Sequence, residues 1–195
     1  MRLFVALDID EEIRKQIQQF TDEVRGLGPH ARWVPSESLH ITLKFIGEKP
    51  DAFVKQIESA LNSVAVAPFR VEFIGAGFFP TPRAARVFWV GIESEARLSE
   101  LAAKIEDSLA AIAIPKDQRA FSPHLTLARA SNASGAPGWR KGDKPNRQFA
   151  GLQEHLAKFP APSFGTMTAR EFYLYRSKLS SRGSTYTKIA RFVLS

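Results

Sequence analysis

Apolar and polar positions along the chain follow two different spacings, and each spacing predicts a different element. Where apolar residues recur at gaps of three and four, we predict amphipathic helices that bury one stripe of side chains. Four such stripes occur, the last one weaker than the others: Ile13, Ile17, Phe20 and Val24; Phe53, Ile57, Leu61 and Val64; Leu98, Leu101, Ile105, Leu109 and Ile112; Phe149, Leu152, Leu156 and Phe159.

Short apolar runs between these stripes predict strands, because turn-forming residues bound them. The runs cover residues 3–8, 31–34, 40–46, 69–74, 86–92, 121–129, 168–176 and 186–194. Strands mixed with helices through hairpin-length connections favour an α+β fold with antiparallel sheets over a regular parallel α/β fold. Residues 130–147, rich in Gly, Pro, Ser and Asn, predict one long loop. At 195 residues, we expect the chain to form a single domain.

One four-residue pattern occurs twice, as His40-Ile41-Thr42-Leu43 and as His124-Leu125-Thr126-Leu127, 84 residues apart (124 − 40). Each copy falls in a predicted strand, where side chains alternate between the two faces. The histidine and the threonine of each copy therefore share one face, about 7 Å apart, while the aliphatic residues point into the core. A recurring rhythm of elements around the two copies is consistent with an internal pseudo-repeat.

A single histidine beside a threonine on a strand is most simply an exposed polar face. The repetition changes this interpretation, because half of the four histidines lie in matching apolar contexts. His30 and His155, in a loop and on a polar helix face, carry no such pattern. The repeat therefore predicts that His40 and His124 act together at one site.

Composition narrows the chemistry that such a site can perform. The chain has no cysteine, so disulfides, thiolate nucleophiles and cysteine-ligated metals are excluded. Its net charge of +7 favours a polyanionic partner. No apolar run is long enough to cross a bilayer, and the N-terminus lacks a signal-peptide pattern, so we expect a monomeric, cytoplasmic protein without a membrane partner.

Two chemistries suit a pair of histidines. Metal ligation ranks low, since neither strand carries a further ligand at suitable spacing, and we expect no metal and no cofactor. General acid and base catalysis needs only two imidazoles on opposite sides of a reacting phosphorus. Thr42 and Thr126 could then donate hydrogen bonds to the non-bridging phosphate oxygens and stabilise the developing charge.

The paired motifs resemble those of the two-histidine phosphoesterase superfamily. Within it, the chain is similar nearly end to end to the bacterial and archaeal RNA 2′,3′-cyclic phosphodiesterases, also called 2′-5′ RNA ligases. The segments that carry this closer resemblance are Met1-Arg2-Leu3-Phe4-Val5-Ala6-Leu7, Arg32-Trp33-Val34-Pro35, Lys44-Phe45-Ile46-Gly47, Arg86-Val87-Phe88-Trp89-Val90-Gly91 and Pro123-His124-Leu125-Thr126-Leu127-Ala128-Arg129.

This resemblance implies a two-lobed, pseudo-twofold fold whose antiparallel sheets line a central cleft, with helices packed outside. It also implies that His40 is the acid that protonates O3′ and that His124 is the base that activates water, leaving a 2′-phosphomonoester. The implied partner is an RNA with a 2′,3′-cyclic phosphate end, tRNA fragments included. The resemblance also implies a reversible ligase activity that joins RNA ends through a 2′-5′ linkage.

Two basic residues near the motifs are harder to assign. Strict alternation points Arg129 away from the His124 face, so Arg129 reaches a phosphate or base only if the strand ends or bulges near Ala128. The resemblance favours that position in the cleft. Lys44 shares the His40 face by alternation, where an exposed lysine is the simpler interpretation and a phosphate neighbour the alternative.

Three functions remain open from the sequence. The first is the RNA-end cyclic phosphodiesterase, with or without reversible ligation. The second is a cyclic phosphodiesterase that acts on a small nucleotide such as ADP-ribose 1″,2″-cyclic phosphate. The third is a module that binds RNA ends without turnover. The basic charge alone favours RNA and does not decide among them.

Overall fold

The structure is a computed structural model that describes residues 1–131, 145–180 and 183–195. Most of the predicted loop 130–147 lies outside the described residues. Nine strands and four helices are formed in the described part of the chain: β1 (Arg2–Leu7), α1 (Glu11–Val24), β2 (Arg32–Trp33), β3 (Ile41–Glu48), α2 (Val54–Asn62), β4 (Phe69–Phe79), β5 (Val87–Ser94), α3 (Arg97–Ala110), β6 (His124–Arg129), α4 (Ala150–Leu156), β7 (Ser163–Ala169), β8 (Glu171–Ser180) and β9 (Gly183–Val193).

The strands form one antiparallel sheet in the order β7-β4-β5-β6-β3-β1-β8-β9, with the short β2 paired to β6 outside this path. We call β3, β1, β8 and β9 the first half-sheet, and β6, β5, β4 and β7 the second half-sheet. The strands that carry the two histidine motifs lie at the centre and are each the innermost strand of their half. The predicted α+β fold with antiparallel strands and two related halves is confirmed.

The two half-sheets meet at a narrow seam. Along it β3 and β6 pair only through Ile41 and Leu125. Beyond this pair β6 turns to β2 instead, since Arg32 lies opposite Arg129 and the amide of Val34 donates to the Leu127 carbonyl at 2.8 Å. The strands β3 and β6 therefore diverge from the seam, and a cleft opens between the halves.

The helices pack against both half-sheets. Phe20 of α1 packs against Phe164 and Phe88 in the second half-sheet, with ring centroids 5.2 and 6.4 Å away. On the other side, α3 packs against β3 of the first half-sheet. One continuous hydrophobic core contains residues of both halves. No helix in the described ranges is long and apolar enough to span a membrane.

Two predicted boundaries were wrong. The run 168–176 forms two strands that break at Arg170, since β7 ends at Ala169 and β8 begins at Glu171. Neither Gly nor Pro marks this break, where the chain passes from β7, paired with β4, to β8, paired with β1 and β9. Strand β4 continues to Phe79, five residues beyond the predicted end at Ile74, because Gly75 and Gly77 are accommodated within a bulged strand and do not end it.

Candidate active site

The seam brings the two histidine motifs together. His40 immediately precedes β3, and His124 is the first residue of β6. Because Ile41 lies opposite Leu125 in antiparallel register, continuing that register by one residue sets Thr42 across from His124 and Thr126 across from His40. All four side chains line one cleft of about 560 Å³ between the half-sheets. The structure thus unites the side chains that the sequence singled out, each partly exposed.

Both histidine rings are oriented by the same local hydrogen bond. The Nδ1 of His40 lies 2.7 Å from the carbonyl oxygen of Ser38, and the Nδ1 of His124 lies 2.8 Å from that of Ser122. A carbonyl oxygen only accepts, so in each bond Nδ1 carries the proton and donates. In the neutral ring Nε2 is then left with its lone pair, which is the atom a general base needs.

Aromatic rings enclose His40 more fully than His124. Phe4 and Tyr186 lie 4.8 and 5.1 Å from the His40 ring, centroid to centroid. Tyr175 stacks on Phe4 at 5.0 Å and lies 6.1 Å from the His40 ring. His124 has an edge-to-face contact with Phe79 at 5.0 Å. These rings replace water around each imidazole and disfavour the charged form.

The titration of both histidines follows from this enclosure. Burial lowers the pKa of His40 from 6.5 to about 4, against the opposing effect of its bond to Ser38. Burial also lowers the pKa of His124. The nearby Arg129 guanidinium lowers the pKa of both rings further, since a cation disfavours a second positive charge. Free of ligand, both imidazoles are therefore neutral at pH 7.

The two motif strands share a bulge that the sequence did not reveal. In β3, Ala6 pairs with Thr42 and Val5 with Lys44, so Leu43 is the extra residue. In β6, Trp89 pairs with Thr126 and Phe88 with Ala128, so Leu127 is the extra residue. An extra residue reverses the alternation that follows it. Residues four and five positions after each histidine therefore face opposite to the pattern expected from the sequence.

Arg129 reaches the cleft because of this bulge. It lines the same cavity as His40, His124 and Thr126. Strict alternation would point Arg129 away from the cleft. The bulge at Leu127, next to Ala128, turns its side chain into the cleft instead. The bulge turns Phe45 in the same way. Alternation from Ile41 and Leu43 would point Phe45 into the core, but it is 49% exposed at the cleft and lies 6.2 Å from Phe4, centroid to centroid.

Lys44 corrects another expectation. Neither the exposed position nor the phosphate contact predicted by alternation is observed, because the bulge turns Lys44 to the core side, where it is 2% exposed. Its ammonium group lies 2.9 Å from a carboxylate oxygen of Glu106 on α3 and donates to the Pro115 carbonyl at 2.8 Å. Lys44 ties β3 to α3 and takes no place in the cleft.

The residues missed by the sequence reasoning are the aromatic walls around the histidines, namely Phe4, Phe45, Phe79, Tyr175 and Tyr186. An aromatic residue in a strand reads as core whichever face it occupies, so these positions carried no signal. Trp33 is packed, with its ring edge-to-face on Phe88 at 6.0 Å and its indole N–H donating to the Gly28 carbonyl.

The side chains that line the cleft are strongly basic. Arg2, Arg32, Arg119 and Arg129 line it against one acidic side chain among the described residues, Asp117. Across residues 1–131, 145–180 and 183–195, no three His, Cys, Asp or Glu side chains come together as metal ligands would. The two motifs supply two imidazoles and two hydroxyls to the cleft, and the arginines lie around them.

Comparison with protein families gives an independent result on the duplication. The model of the LigT-like phosphoesterases matches this chain twice, over residues 7–89 and residues 90–186. Each match contains one of the two histidine motifs. The paired motifs on this fold define a two-histidine phosphoesterase, and the chain is an enzyme of that class.

It belongs to the LigT-like phosphoesterase family. The RNA 2′,3′-cyclic phosphodiesterase of Archaeoglobus fulgidus is 33% identical over 98% of this chain and 99% of its own length. That of Methanothermobacter thermautotrophicus is 30% identical over 100% of this chain and 99% of its own length. The crystal structure of E. coli LigT complexed with 3′-AMP matches with a TM-score of 0.77 and 27% identity, covering 100% of this chain and 98% of that one.

Proposed function

We propose that this enzyme hydrolyses a 2′,3′-cyclic phosphate at the end of an RNA to a 2′-phosphomonoester, using His40 and His124 and no metal. The relatives named RNA 2′,3′-cyclic phosphodiesterases support this substrate class. The observation that carries the proposal is the paired Nδ1 bond to Ser38 and Ser122, which leaves one Nε2 on either side of the seam for proton transfer.

The reaction is an in-line displacement at phosphorus. Water attacks the phosphorus, and its proton passes to Nε2 of neutral His124 as the new P–O bond forms. The P–O3′ bond breaks, and protonated His40 delivers its Nε2 proton to O3′. Thr42, Thr126 and Arg129 donate hydrogen bonds to the non-bridging oxygens, whose negative charge grows in the transition state. With a 5′-hydroxyl attacking phosphorus in place of water, the same groups form a 2′-5′ linkage as the P–O3′ bond breaks, and the reverse of that step cleaves the linkage to the cyclic phosphate.

The acid must gain its proton with the substrate. His40 is neutral at pH 7 in the free enzyme, because burial lowers its pKa to about 4. A cyclic phosphate anion bound beside the ring raises that pKa, since a negative charge favours the imidazolium. Binding of the anion and protonation of the acid are therefore coupled, and an uncharged analogue would not assemble the reactive state.

The orientation of the ribose rests on the resemblance and is tested by the product. With His40 beside O3′, the phosphate stays on O2′. With the roles exchanged relative to the ribose, equally good chemistry leaves it on O3′. Separating the 2′- and 3′-monophosphates by chromatography or phosphorus NMR decides between the two, and a predominantly 3′-phosphate product rejects His40 as the acid at O3′.

The activity is tested by incubating the protein in EDTA with cyclic-phosphate-ended tRNA halves, short oligonucleotides, 2′,3′-cyclic mononucleotides and ADP-ribose 1″,2″-cyclic phosphate. We expect turnover on the RNA ends, reduced by about 10² to 10⁴ in both His40→Ala and His124→Ala. His30→Ala, at an exposed histidine, is the matched control. Binding without turnover would support a non-catalytic module. A preference for the ADP-ribose substrate would support the small-nucleotide function. Loss of turnover in EDTA that a divalent ion restores would support a metal mechanism.

A further inference from the structure

The cleft does not end at the histidines. Beyond His124 it continues into a second cavity of about 510 Å³, which we call the side chamber, between the start of β6, α3 and the segment 115–122. Thr42, Phe45 and His124 line both cavities. The proposed site of phosphate chemistry therefore lies at the junction of two spaces, each large enough for part of a nucleotide.

The two spaces differ in charge. Arg119 and Asp117 line both spaces and therefore do not distinguish them. The cleft adds Arg2, Arg32 and Arg129 and no acidic side chain among the described residues. The side chamber adds two ion pairs, Lys44 with Glu106 and Lys116 with Asp107. Phosphodiester groups are attracted to the cleft, and the side chamber offers them no net charge.

The side chamber also offers aromatic and small apolar surface. Phe45, Phe79 and Phe121 line it, facing Ala102 and Ala103 on α3. Aromatic rings around a neutral space suit a planar nucleobase, which stacks on them without a charge partner.

Resting on the proposed function, the geometry points to one orientation of the RNA end. We propose that the side chamber binds the base of the 3′-terminal nucleotide and that the basic cleft holds the upstream strand. The terminal ribose, with its cyclic phosphate, then lies at the junction beside Thr42 and His124. This orientation makes the side chamber the determinant of terminal-base preference and the cleft the determinant of preference for chain length.

The first test fills the side chamber. Ala103 is exposed on α3, so Ala103→Trp adds bulk there without entering the core. The readout is kcat/KM on 2′,3′-cyclic AMP divided by kcat/KM on methyl riboside 2′,3′-cyclic phosphate, which lacks a base. We expect this ratio to fall by roughly tenfold or more, and by less with 2′,3′-cyclic CMP, whose base is smaller. Ala111→Trp, exposed just beyond α3 and outside both cavities, is the control and should keep the wild-type ratio.

The second test addresses the upstream strand. Arg2, the first residue of β1, lines the cleft and does not line the side chamber. For Arg2→Gln we expect a several-fold fall in the ratio of kcat/KM on a cyclic-phosphate-ended pentanucleotide to that on the cyclic mononucleotide. The difference from wild type should shrink at high salt, because a phosphate contact is being removed.

Three outcomes are informative. A wild-type base ratio in Ala103→Trp overturns the inference. So does an Ala103→Trp defect seen on the pentanucleotide and absent on the mononucleotide, which would assign the upstream strand to the side chamber. If the wild-type enzyme turns over none of these substrates, the proposed function has failed instead. The methyl riboside substrate reports on each variant's folded catalytic centre independently of the base.

Discussion

Phe45 and Arg129 occupy equivalent positions, each five residues after a motif histidine, and both face the cleft because their strands bulge at Leu43 and Leu127. The duplicated backbone thus presents an aromatic ring on one side of the seam and a guanidinium on the other. The same kind of bulge therefore places an aromatic side chain in one half of the site and a cationic side chain in the other.

Replacing Arg129 should change both rate and titration. In Arg129→Met we expect kcat/KM to fall about tenfold to a hundredfold, the loss of one charge-assisted contact of roughly 1.5 to 3 kcal/mol. The pKa of both His40 and His124 should rise, because the cation that lowers them is gone. Histidine ring protons followed by NMR against pH would measure this. Arg129→Lys keeps the charge and should leave the titrations of both histidines near those of the wild type. If the histidines titrate alike in Arg129→Met and Arg129→Lys, the positive charge at residue 129 has no part in lowering either pKa.

The pH dependence of kcat/KM should be displaced to the acid side. A bell-shaped profile for kcat/KM reports the acid and the base of the free enzyme. Burial lowers the pKa of both histidines, to about 4 for His40, so both limbs should lie below pH 6.5. The profile of kcat should lie at higher pH, since the bound anion favours the imidazolium. Rates measured from pH 3.5 to 9 would test both statements, and an alkaline limb of kcat/KM above pH 7 would contradict the first.

His40 should also make the fold sensitive to acid. Its folded pKa of about 4 lies below the unfolded value of 6.5, so between these pH values the unfolded chain binds more protons at this site. Stability contributed by this site is therefore constant above pH 6.5 and falls as the pH drops towards 4, by roughly 3 kcal/mol in total. Denaturant unfolding of wild type and His40→Gln across this range measures the difference in slope. His30→Gln is the exposed control, and equal slopes in wild type and His40→Gln would contradict the prediction.

The support behind His124 can be perturbed from a distance. A Cβ at Gly77 would lie 2.4 Å from the Trp89 ring, and Trp89 lies 5.0 Å from Phe79, centroid to centroid, which itself contacts His124. We expect Gly77→Ala to cost about 1 to 3 kcal/mol of stability by overpacking and to lower kcat under folding conditions. At Gly26 an added Cβ meets no atom within 4 Å, which makes Gly26→Ala the control. Wild-type kcat in a destabilised Gly77→Ala would show that Trp89 does not position the catalytic ring.

Lys44 should matter for stability and little for chemistry. In Lys44→Met, Glu106 loses its buried partner, and we expect a loss of about 2 kcal/mol, less than for a fully buried pair because Glu106 stays partly exposed. The double variant Lys44→Met, Glu106→Leu should recover part of it. Thermal unfolding and kcat at a temperature well below the transition separate the two effects. A large fall in kcat with unchanged stability would return Lys44 to the active site.

The sequence predicted that the histidines and threonines of the two motifs come together, and it did not predict the aromatic residues around them. His40, Thr42, His124 and Thr126 could be paired because a motif repeated with period-two alternation needs no tertiary information. The face of the sheet on which Lys44, Phe45 and Arg129 lie could not be predicted. A bulge reverses the direction of the side chains that follow it and leaves no mark in the residue composition. The break at Arg170 was missed for a related reason, since the chain passes there from one half-sheet to the other without a Gly or Pro to mark it.

The single residue pair that joins β3 to β6 also fixes where the molecule can bend. Ile41 and Leu125 join the two half-sheets, and the two imidazoles proposed to be catalytic are the chain neighbours of these residues. When two rigid bodies rotate about a pivot, displacement grows with distance from it. For any rotation of the half-sheets about this pair, we therefore expect residues at the rim of the cleft, such as Leu179, to move most and the spacing of the histidines to change least. RNA ends of different bulk would then widen the entrance and leave the proposed proton-transfer distances nearly constant.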